Sequence, residues 1–377
     1  MNFSASDIEF MQRALVLAKR GRFSTHPNPN VGCVIVSPAG EIVGEGWHER
    51  AGEPHAEVFA LRAAGAKAQN ATVYVTLEPC SHHGRTGPCA DALVQAKVKR
   101  VVVAMCDPFK EVAGRGLRKL QDAGIEVQVG LLTEQAQWLN RGFLKQCERG
   151  LPWVQLKLAA SLDGRTALAN GESQWITGPL ARADVHEGRA MAGAILTGAD
   201  TVLADNPQLN VRPQTASLRA LPNIRQPIRV VMDTQGRLTP DLAIFQDGVP
   251  VLLVRTRSLP IAMPAHVEEL IVPNKHGKAD LRALLIKLSE RNIHTLWAEC
   301  GASLAGALLH EQLVDELILY IAPKVLGADA KPLFNFTGIQ HMSHVLEMQL
   351  VSQQQLEEDI KLVYTPKSNA PNEEPLE

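Results

Sequence analysis

Tyr74-Val75-Thr76-Leu77-Glu78-Pro79-Cys80-Ser81-His82-His83-Gly84-Arg85-Thr86-Gly87-Pro88-Cys89 is the most informative stretch of the chain. Its apolar start reads as a buried strand that runs directly into a Pro-Cys step. A turn-rich loop follows, and the second cysteine opens a helical run from Cys89 to Ala96. Upstream, His55-Ala56-Glu57 opens another helical run, His55 to Ala66. One imidazole and two thiols delivered from helix starts are zinc donors. Three protein ligands leave a position for water, as catalytic rather than structural zinc sites do. Glu57, two residues past His55, is placed to take a proton from that water and return it.

Strand and helix alternate around this stretch. Ser6-Asp7-Ile8-Glu9 fits a capping box for a helix reaching Lys19. His26-Pro27-Asn28-Pro29-Asn30 cannot continue it, because proline lacks the donor and restricts the residue before it. Val31–Ser37 and Glu41–His48 read as a hairpin around Pro38-Ala39-Gly40. Further strands are expected at 72–77, 98–105 and 125–129, with helices at 116–123 and 133–148. The alternation predicts an α/β domain with a largely parallel sheet covered on both faces, and places the metal residues just past strand ends.

Length and composition bound the rest. At about 100–200 residues per domain, 377 residues predict two domains. A net charge of −2 gives no electrostatic ground for a nucleic-acid partner. No apolar run is long enough to span a membrane, and the first residues lack a basic segment followed by an apolar core. Six cysteines in a chain of this length are too sparse for a disulfide scaffold, so a reducing cytoplasm is expected.

His-x-Glu alone carries little information, but the ordered set with both cysteines is specific. Zinc nucleobase deaminases show H-x-E followed by P-C-x-x-C, and here eight residues separate Cys80 from Cys89 instead of two. Asn28-Pro29-Asn30-Val31-Gly32, His55-Ala56-Glu57, Thr76 to Gly84 and Val112 to Gly116 resemble the deaminase domain of the bifunctional riboflavin-biosynthesis deaminase/reductases, whose own zinc motif has this longer spacing. The resemblance implies zinc on His55, Cys80 and Cys89, with Glu57 as the proton carrier. It also implies substrate contacts from Asn28, His48, His82, Arg85 and Asp107. The chain departs from the family's Asp-Pro-Asn after the fourth strand, reading Asp107-Pro108-Phe109.

The second half starts after Arg149-Gly150-Leu151-Pro152. A strand at 153–160 leads into Ser161-Leu162-Asp163-Gly164-Arg165, and Pro179–Met191 reads as a helix with proline in its first turn. Strands are expected at 194–198, 228–233 and 249–255, a helix at 280–290, and two final strands around a tip at 353–358. Thr295–Ala298 reads as a strand, Glu299–Ser303 as a loop and Leu304–Glu311 as a helix. Gly301 and Gly306 bracket that turn, where free N–H groups can receive a phosphate. The pattern is not GxGxxG, and by itself it is equally plain turn geometry.

Lys157 to Gly164, Ser173 to Thr177, Asp205-Asn206-Pro207 and Glu299 to Leu304 resemble the reductase domain of the same family, which is similar to dihydrofolate reductase. The resemblance implies NADPH contacts from Ala159, Trp175, Thr201, Asp205, Thr234 and the turn Gly301, Ala302, Ser303, Leu304, Ala305, Gly306 and Ala307. Ser173, Arg189, Leu209, Arg212 and Glu299 are the implied substrate contacts. Of these, Arg189 and Arg212 suit a ribose phosphate, which arginine meets in a bidentate pair.

The expected protein is thus α/β throughout. Residues 1–148 are a cytidine-deaminase-like α/β/α sandwich, 149–367 a dihydrofolate-reductase-like domain and 368–377 a disordered tail. The resemblance implies deamination of 2,5-diamino-6-ribosylamino-4(3H)-pyrimidinone 5′-phosphate, then NADPH reduction to 5-amino-6-ribitylaminouracil 5′-phosphate. Zinc and NADPH are the cofactors, and a cytoplasmic homodimer is the implied assembly. The alternative is another zinc nucleobase or nucleoside deaminase with an appended domain.

Overall fold

The computed structural model describes residues 3–81, 87–109 and 113–367. His82, Arg85 and the expected tail at 368–377 lie outside the described residues. The chain divides into two compact units, Met1–Pro152 and Trp153–Glu377.

The first unit opens with α1 (Ala5–Ala18). Its cap is Ser4 rather than Ser6: Ser4 Oγ accepts the Asp7 N–H, and the Asp7 carboxylate accepts the Ser4 N–H at 2.9 Å. Asp7 won this role because its carboxylate is also wanted inside, where it accepts from Tyr74 and Arg100. The hairpin β1 (Gly32–Val36) and β2 (Ile42–Trp47) follows, then α2 (Ala56–Ala64) and β3 (Thr72–Val75). Next come α3 (Cys89–Gln95), β4 (Arg100–Val103), α4 (Arg115–Asp122) and β5 (Glu126–Val129). The unit ends with α5 (Thr133–Leu139) and α6 (Arg141–Arg149).

The sheet order is β2-β1-β3-β4-β5. It is less parallel than expected: β1 pairs antiparallel with both β2 and β3, and only β3/β4 and β4/β5 are parallel. The hairpin turn forces the first pairing, and the return through α2 sets the second. Both faces are covered, because successive strand residues point to opposite sides. Cys33, Ile35, Val73, Val101 and Val103 pack with Ala56, Ala60, Ala90, Leu93 and Leu120 on one face. Val34, Val36, Tyr74 and Val102 pack with Met11, Ala14, Leu15 and Ala136 on the other.

The single helix expected at 133–148 is broken at Asn140. Asn140 Oδ1 accepts the Asn30 N–H at 2.7 Å, and its Nδ2 donates to the Asn30 carbonyl at 3.0 Å. A side chain thus pairs with the proline-rich loop as a strand would, which periodicity cannot reveal.

The second unit contains β6 (Trp153–Ser161), β7 (Arg165–Ala167), α7 (Pro179–Met191), β8 (Ala194–Gly198) and α8 (Ala199–Asp205). It continues through α9 (Ala216–Arg219), β9 (Ile228–Met232), β10 (Val251–Arg255), β11 (Val267–Ile271), β12 (Asn274–Lys275) and β13 (Lys278–Ala279). Then follow α10 (Leu281–Glu290), β14 (Thr295–Glu299), α11 (Ala302–His310), β15 (Glu316–Ala322) and β16 (Lys331–Pro332). The hairpin β17 (Met348–Leu356) and β18 (Asp359–Pro366) closes the unit. Its main sheet has nine strands in the order β11-β10-β9-β8-β14-β6-β15-β18-β17. The pairings from β11 to β15 are parallel, and the closing hairpin adds antiparallel pairs.

Two boundaries around Gly301 differ from expectation. β14 runs through Glu299, and α11 begins at Ala302 with Gly301 as N-cap. Gly306 is therefore inside the helix and not part of the turn. A Cβ there would lie 2.3 Å from the Asn335 carbonyl oxygen, so the glycine permits close packing.

Candidate active sites

His55 is the N-cap of α2, yet its imidazole caps nothing and is left for other work. Its Nδ1 lies 3.5 Å from Cys80 Sγ and 3.3 Å from Cys89 Sγ, and the three donor atoms lie within 4.8 Å of one another. Zinc with bonds of ~2.3 Å to sulfur and ~2 Å to nitrogen in a tetrahedron puts N and S about 3.5 Å apart. The donor set therefore fits zinc, in chemistry and in spacing.

Cys89 opens α3 as expected, but Cys80 does not start a helix; it follows the strand limb in coil. It is fastened to the start of α3 from both sides of its own peptide. Cys80 Sγ accepts the Cys89 N–H at 3.3 Å, and its carbonyl accepts the Ala90 N–H at 3.2 Å. Hydrogen bonding from Cys89 and from His55 holds the Cys80 thiol down at about 4. Cys89 is pushed the other way, first by giving its hydrogen to Cys80 and then by burial.

Glu57 is buried in the first turn of α2. Burial pushes its carboxyl up to about 7, against the pull of His55. The helix sits close because β2 offers no side chain at Gly46: a Cβ there would meet the Ala56 carbonyl at 2.3 Å.

Of the other first-unit candidates, Asn28 and His48 come together. His48 Nδ1 donates to the Pro54 carbonyl at 3.1 Å, so Nε2 accepts from Asn28 Nδ2 at 3.0 Å. Burial lowers the His48 pKa, which keeps that tautomer neutral. The His48 ring stands edge-on to His55, 5.6 Å between centroids. Asp107 follows β4, and its Oδ1 accepts the Phe109 N–H at 2.9 Å.

The second unit gathers its candidates at the C-terminal ends of adjacent parallel strands. Ala159 lies in β6, Thr201 follows β8, Thr234 follows β9 and Gly301 follows β14. Open α/β sheets bind ligands in this position. A Cβ on Gly301 would come 3.7 Å from Thr201 Oγ1, so those two segments meet. The N-cap Gly301 has no side chain to cap α11, and among the described residues no other side chain is seen to do so, which leaves its first-turn N–H groups for an anion. Ala305 and Gly306 face the buried side of α11, so the open turn is shorter than expected, Gly301 to Leu304. Asp205 ends α8 and is exposed, as is Trp175, over whose ring the Arg182 guanidinium sits at 4.6 Å. Ser173 is half-buried in the segment before α7, and Leu209 is buried beyond α8.

Glu299 is the charged centre of this crevice. Arg189 grips it through Nε at 2.5 Å and Nη2 at 2.9 Å, Trp297 Nε1 donates at 2.8 Å, and Lys157 Nζ lies 3.7 Å away. Burial alone would raise the Glu299 pKa, but Arg189 and Lys157 outweigh it and hold it at about 2. Arg189 also donates to the Asn210 carbonyl, so its guanidinium is committed inside the protein rather than left open to a phosphate. Arg212 is exposed.

Lys157 and Trp297 contact Glu299, and Glu78, just after β3, accepts the Asp107 N–H at 3.2 Å; sequence reasoning assigns none of the three a role. The available signal was the same for the two charged residues: an ionisable group in or just after an otherwise apolar strand.

A family model described as the cytidine and deoxycytidylate deaminase zinc-binding region matches residues 4–105, and one described as the RibD C-terminal domain matches 152–362. The riboflavin biosynthesis protein RibD of Escherichia coli (strain K12) is 56% identical over 342 residues, covering 89% of this chain and 93% of that protein. The chain belongs to the RibD family. The Haemophilus influenzae member is 50% identical over 373 residues, covering 97% of this chain and 99% of that protein. Among solved structures, form 1 of Acinetobacter baumannii RibD has TM-score 0.86 at 47% identity, covering 96% of this chain and 99% of its own. A Thermotoga maritima protein described as a diaminohydroxyphosphoribosylaminopyrimidine deaminase/5-amino-6-(5-phosphoribosylamino)uracil reductase has TM-score 0.85 at 34% identity, with the same coverage.

As a RibD protein the chain is a bifunctional enzyme of riboflavin biosynthesis, a zinc-dependent deaminase joined to an NADPH-dependent reductase. The match over both halves removes the alternative of an unrelated deaminase with an appended domain. No helix among the described residues is long and apolar enough to cross a membrane.

Proposed function

We propose that Met1–Pro152 deaminates 2,5-diamino-6-ribosylamino-4(3H)-pyrimidinone 5′-phosphate and that Trp153–Glu377 reduces the ribosyl group of the product. The convergence of His55, Cys80 and Cys89 beside buried Glu57 carries the first assignment. His55 Nδ1 and both Sγ atoms hold zinc, which when bound supplies a Lewis acid that brings a water's pKa to about 7. Glu57 accepts the proton of the attacking water and delivers it to the exocyclic amine, which departs as ammonia. Its raised pKa suits both transfers near neutral pH. The Asn28–His48 pair offers the substrate the remaining polar edge of Asn28, and Asp107, which follows β4, is a further contact.

In the second unit, NADPH supplies the hydride when bound. The open turn Gly301 to Leu304 would hold its pyrophosphate, with Ala159, Thr201 and Thr234 at the strand ends, Asp205 at the end of α8 and Trp175 before α7 as further contacts. Glu299 stays ionised and is aimed by Arg189, Trp297 and Lys157, so it meets the substrate as a fixed acceptor. Ser173 and Leu209 are further substrate contacts, and Arg212, which is exposed, is the arginine open to the ribose phosphate. The enzyme so described acts on a small molecule, uses no nucleic acid, and is taken to be a cytoplasmic homodimer, which sedimentation of the full chain checks.

The test is NADPH oxidation by the full chain with the diaminopyrimidine substrate, with and without a zinc chelator, beside a run on the deaminated intermediate. The chelator is expected to stop oxidation from the first compound and not from the second. Oxidation from neither, with zinc held, would remove the assignment of the second unit.

A further inference from the structure

We infer that Glu78 is a positioning residue for deamination, one that ties the Cys80 limb to the backbone at Asp107 and at the start of α4 and so holds Asp107 in place for the substrate. The proposal rests on Met1–Pro152 as the deaminase and on Asp107 as a substrate contact.

Glu78 is 3% exposed, a charge buried two residues before Cys80. Its carboxylate receives backbone donors on both oxygens. Oε2 accepts the N–H of Asp107 at 3.2 Å and of Gly114 at 3.0 Å, and Oε1 accepts those of Gly116 at 3.0 Å and Leu117 at 3.4 Å. Asp107 and Gly114 both lie between β4 and α4, Gly114 directly before the helix. Gly116 and Leu117 are in the first turn of α4, which has no cap of its own because Gly114 stands at N-cap. Glu78 is therefore the missing cap, supplied from another part of the chain. The fit is close: a Cβ on Gly116 would lie 2.0 Å from the Pro79 carbonyl oxygen.

The chemistry selects a carboxylate. All four partners are donors, so both Glu78 oxygens must accept. A glutamine of the same size turns an NH2 group toward one pair of N–H groups, either those of Asp107 and Gly114 or those of Gly116 and Leu117, and leaves that pair without an acceptor. The backbone of Glu78 leads within two residues to the Cys80 thiol, and its side chain holds the backbone of Asp107. The metal limb and the substrate limb are thereby fixed to each other through one side chain.

The experiment is Glu78→Gln in the full-length zinc-loaded enzyme, read by steady-state deamination, zinc content, NADPH oxidation from the deaminated intermediate, and amide hydrogen exchange. A rise in deamination KM of about tenfold is expected, with a smaller change in kcat. Zinc content and reductase rate should stay as in the parent, and exchange should quicken at Asp107, Gly114, Gly116 and Leu117. A kcat loss with KM unmoved, or loss of zinc from a folded variant, would overturn the proposal, because Glu78 would then act through the metal. If the Gln variant does not fold, Glu78→Asp carries the test. It keeps the charge with a shorter reach, and should raise KM less, with quicker exchange at one pair of amides; quicker exchange with KM unmoved overturns the proposal. Asp107→Ala in the same assay separates the two readings. If it raises KM and the Glu78 variants do not, only the positioning role falls; if none of them moves KM, the Asp107 contact falls with it.

Discussion

The zinc corner and the Glu299 crevice solve the same problem, holding charged groups out of water, with opposite use of the chain. The three zinc donors span 34 residues and sit at starts or edges of local elements. The Glu299 crevice joins Arg189 of α7 to a partner 110 residues away in β14 and adds Lys157 from a second strand, β6. The first relies on a metal to balance two thiolates, so its residues are simple and ordered in sequence. The second balances a carboxylate with an arginine and a lysine, and needs a completed sheet to bring them together. A site assembled by neighbouring segments leaves a motif, and a site assembled by a sheet leaves scattered charges.

The largest expected effect tests the independence of the two. Glu57→Gln should lower deamination about a thousandfold while zinc content and NADPH oxidation from the deaminated intermediate stay unchanged. Full deamination by this variant would remove Glu57 from its role. Glu299→Ala should do the converse and more. Breaking a buried pair by removing one partner costs about 3–5 kcal/mol, since Arg189 and Lys157 are left uncompensated. Denaturant unfolding of the second unit should report that loss, with the deaminase rate kept.

Acid sharpens the comparison. The folded pKa of Glu299, about 2, is depressed below its unfolded value of about 4.3, so its contribution is present above the unfolded value and is lost as pH falls toward about 2. Stability of the second unit should drop across that window, and Glu299→Gln should flatten the drop. An unchanged profile in the variant would mean that the ion pairs contribute nothing net.

The smallest effects distinguish packing from binding at α11. Gly306→Ala forces a Cβ against the Asn335 carbonyl and should cost about 1–3 kcal/mol. Gly301→Ala meets only Thr201 Oγ1 at an ordinary distance. It should leave stability nearly unchanged and weaken NADPH binding, measured by calorimetry. Equal affinity in that variant would place the pyrophosphate elsewhere.

Much of the zinc corner was legible because proline, cysteine and histidine each restrict what a segment can do. The Pro-Cys step and the start of α3 stand where the pattern put them. The capping box lies two residues before the one the sequence suggests, because Ser4 and Ser6 are both local caps and burial of Asp7 against Tyr74 and Arg100 separates them. The break at Asn140 was invisible for a related reason: its partner, Asn30, is 110 residues away. In the second unit the central strands and α7 are legible, whereas the edge strand β11 and the short β7, β12, β13 and β16 are not, and the crevice depends on family resemblance. Lys157 gives no sign of its partner inside an apolar strand, and Gly306 reads as a turn glycine although it serves a helix contact.

Local chemistry carried in the residues themselves thus set the α/β alternation, the three metal donors with their proton carrier, and the division into two units. The rest depended on neighbours that periodicity does not encode. Arg189 is turned inward to Glu299 instead of outward, and Glu78 caps a helix that begins 37 residues after it in the chain. Charge burial explains both. A charged side chain is stable inside only where donors from distant segments surround it, and the tertiary fold alone determines which segments arrive.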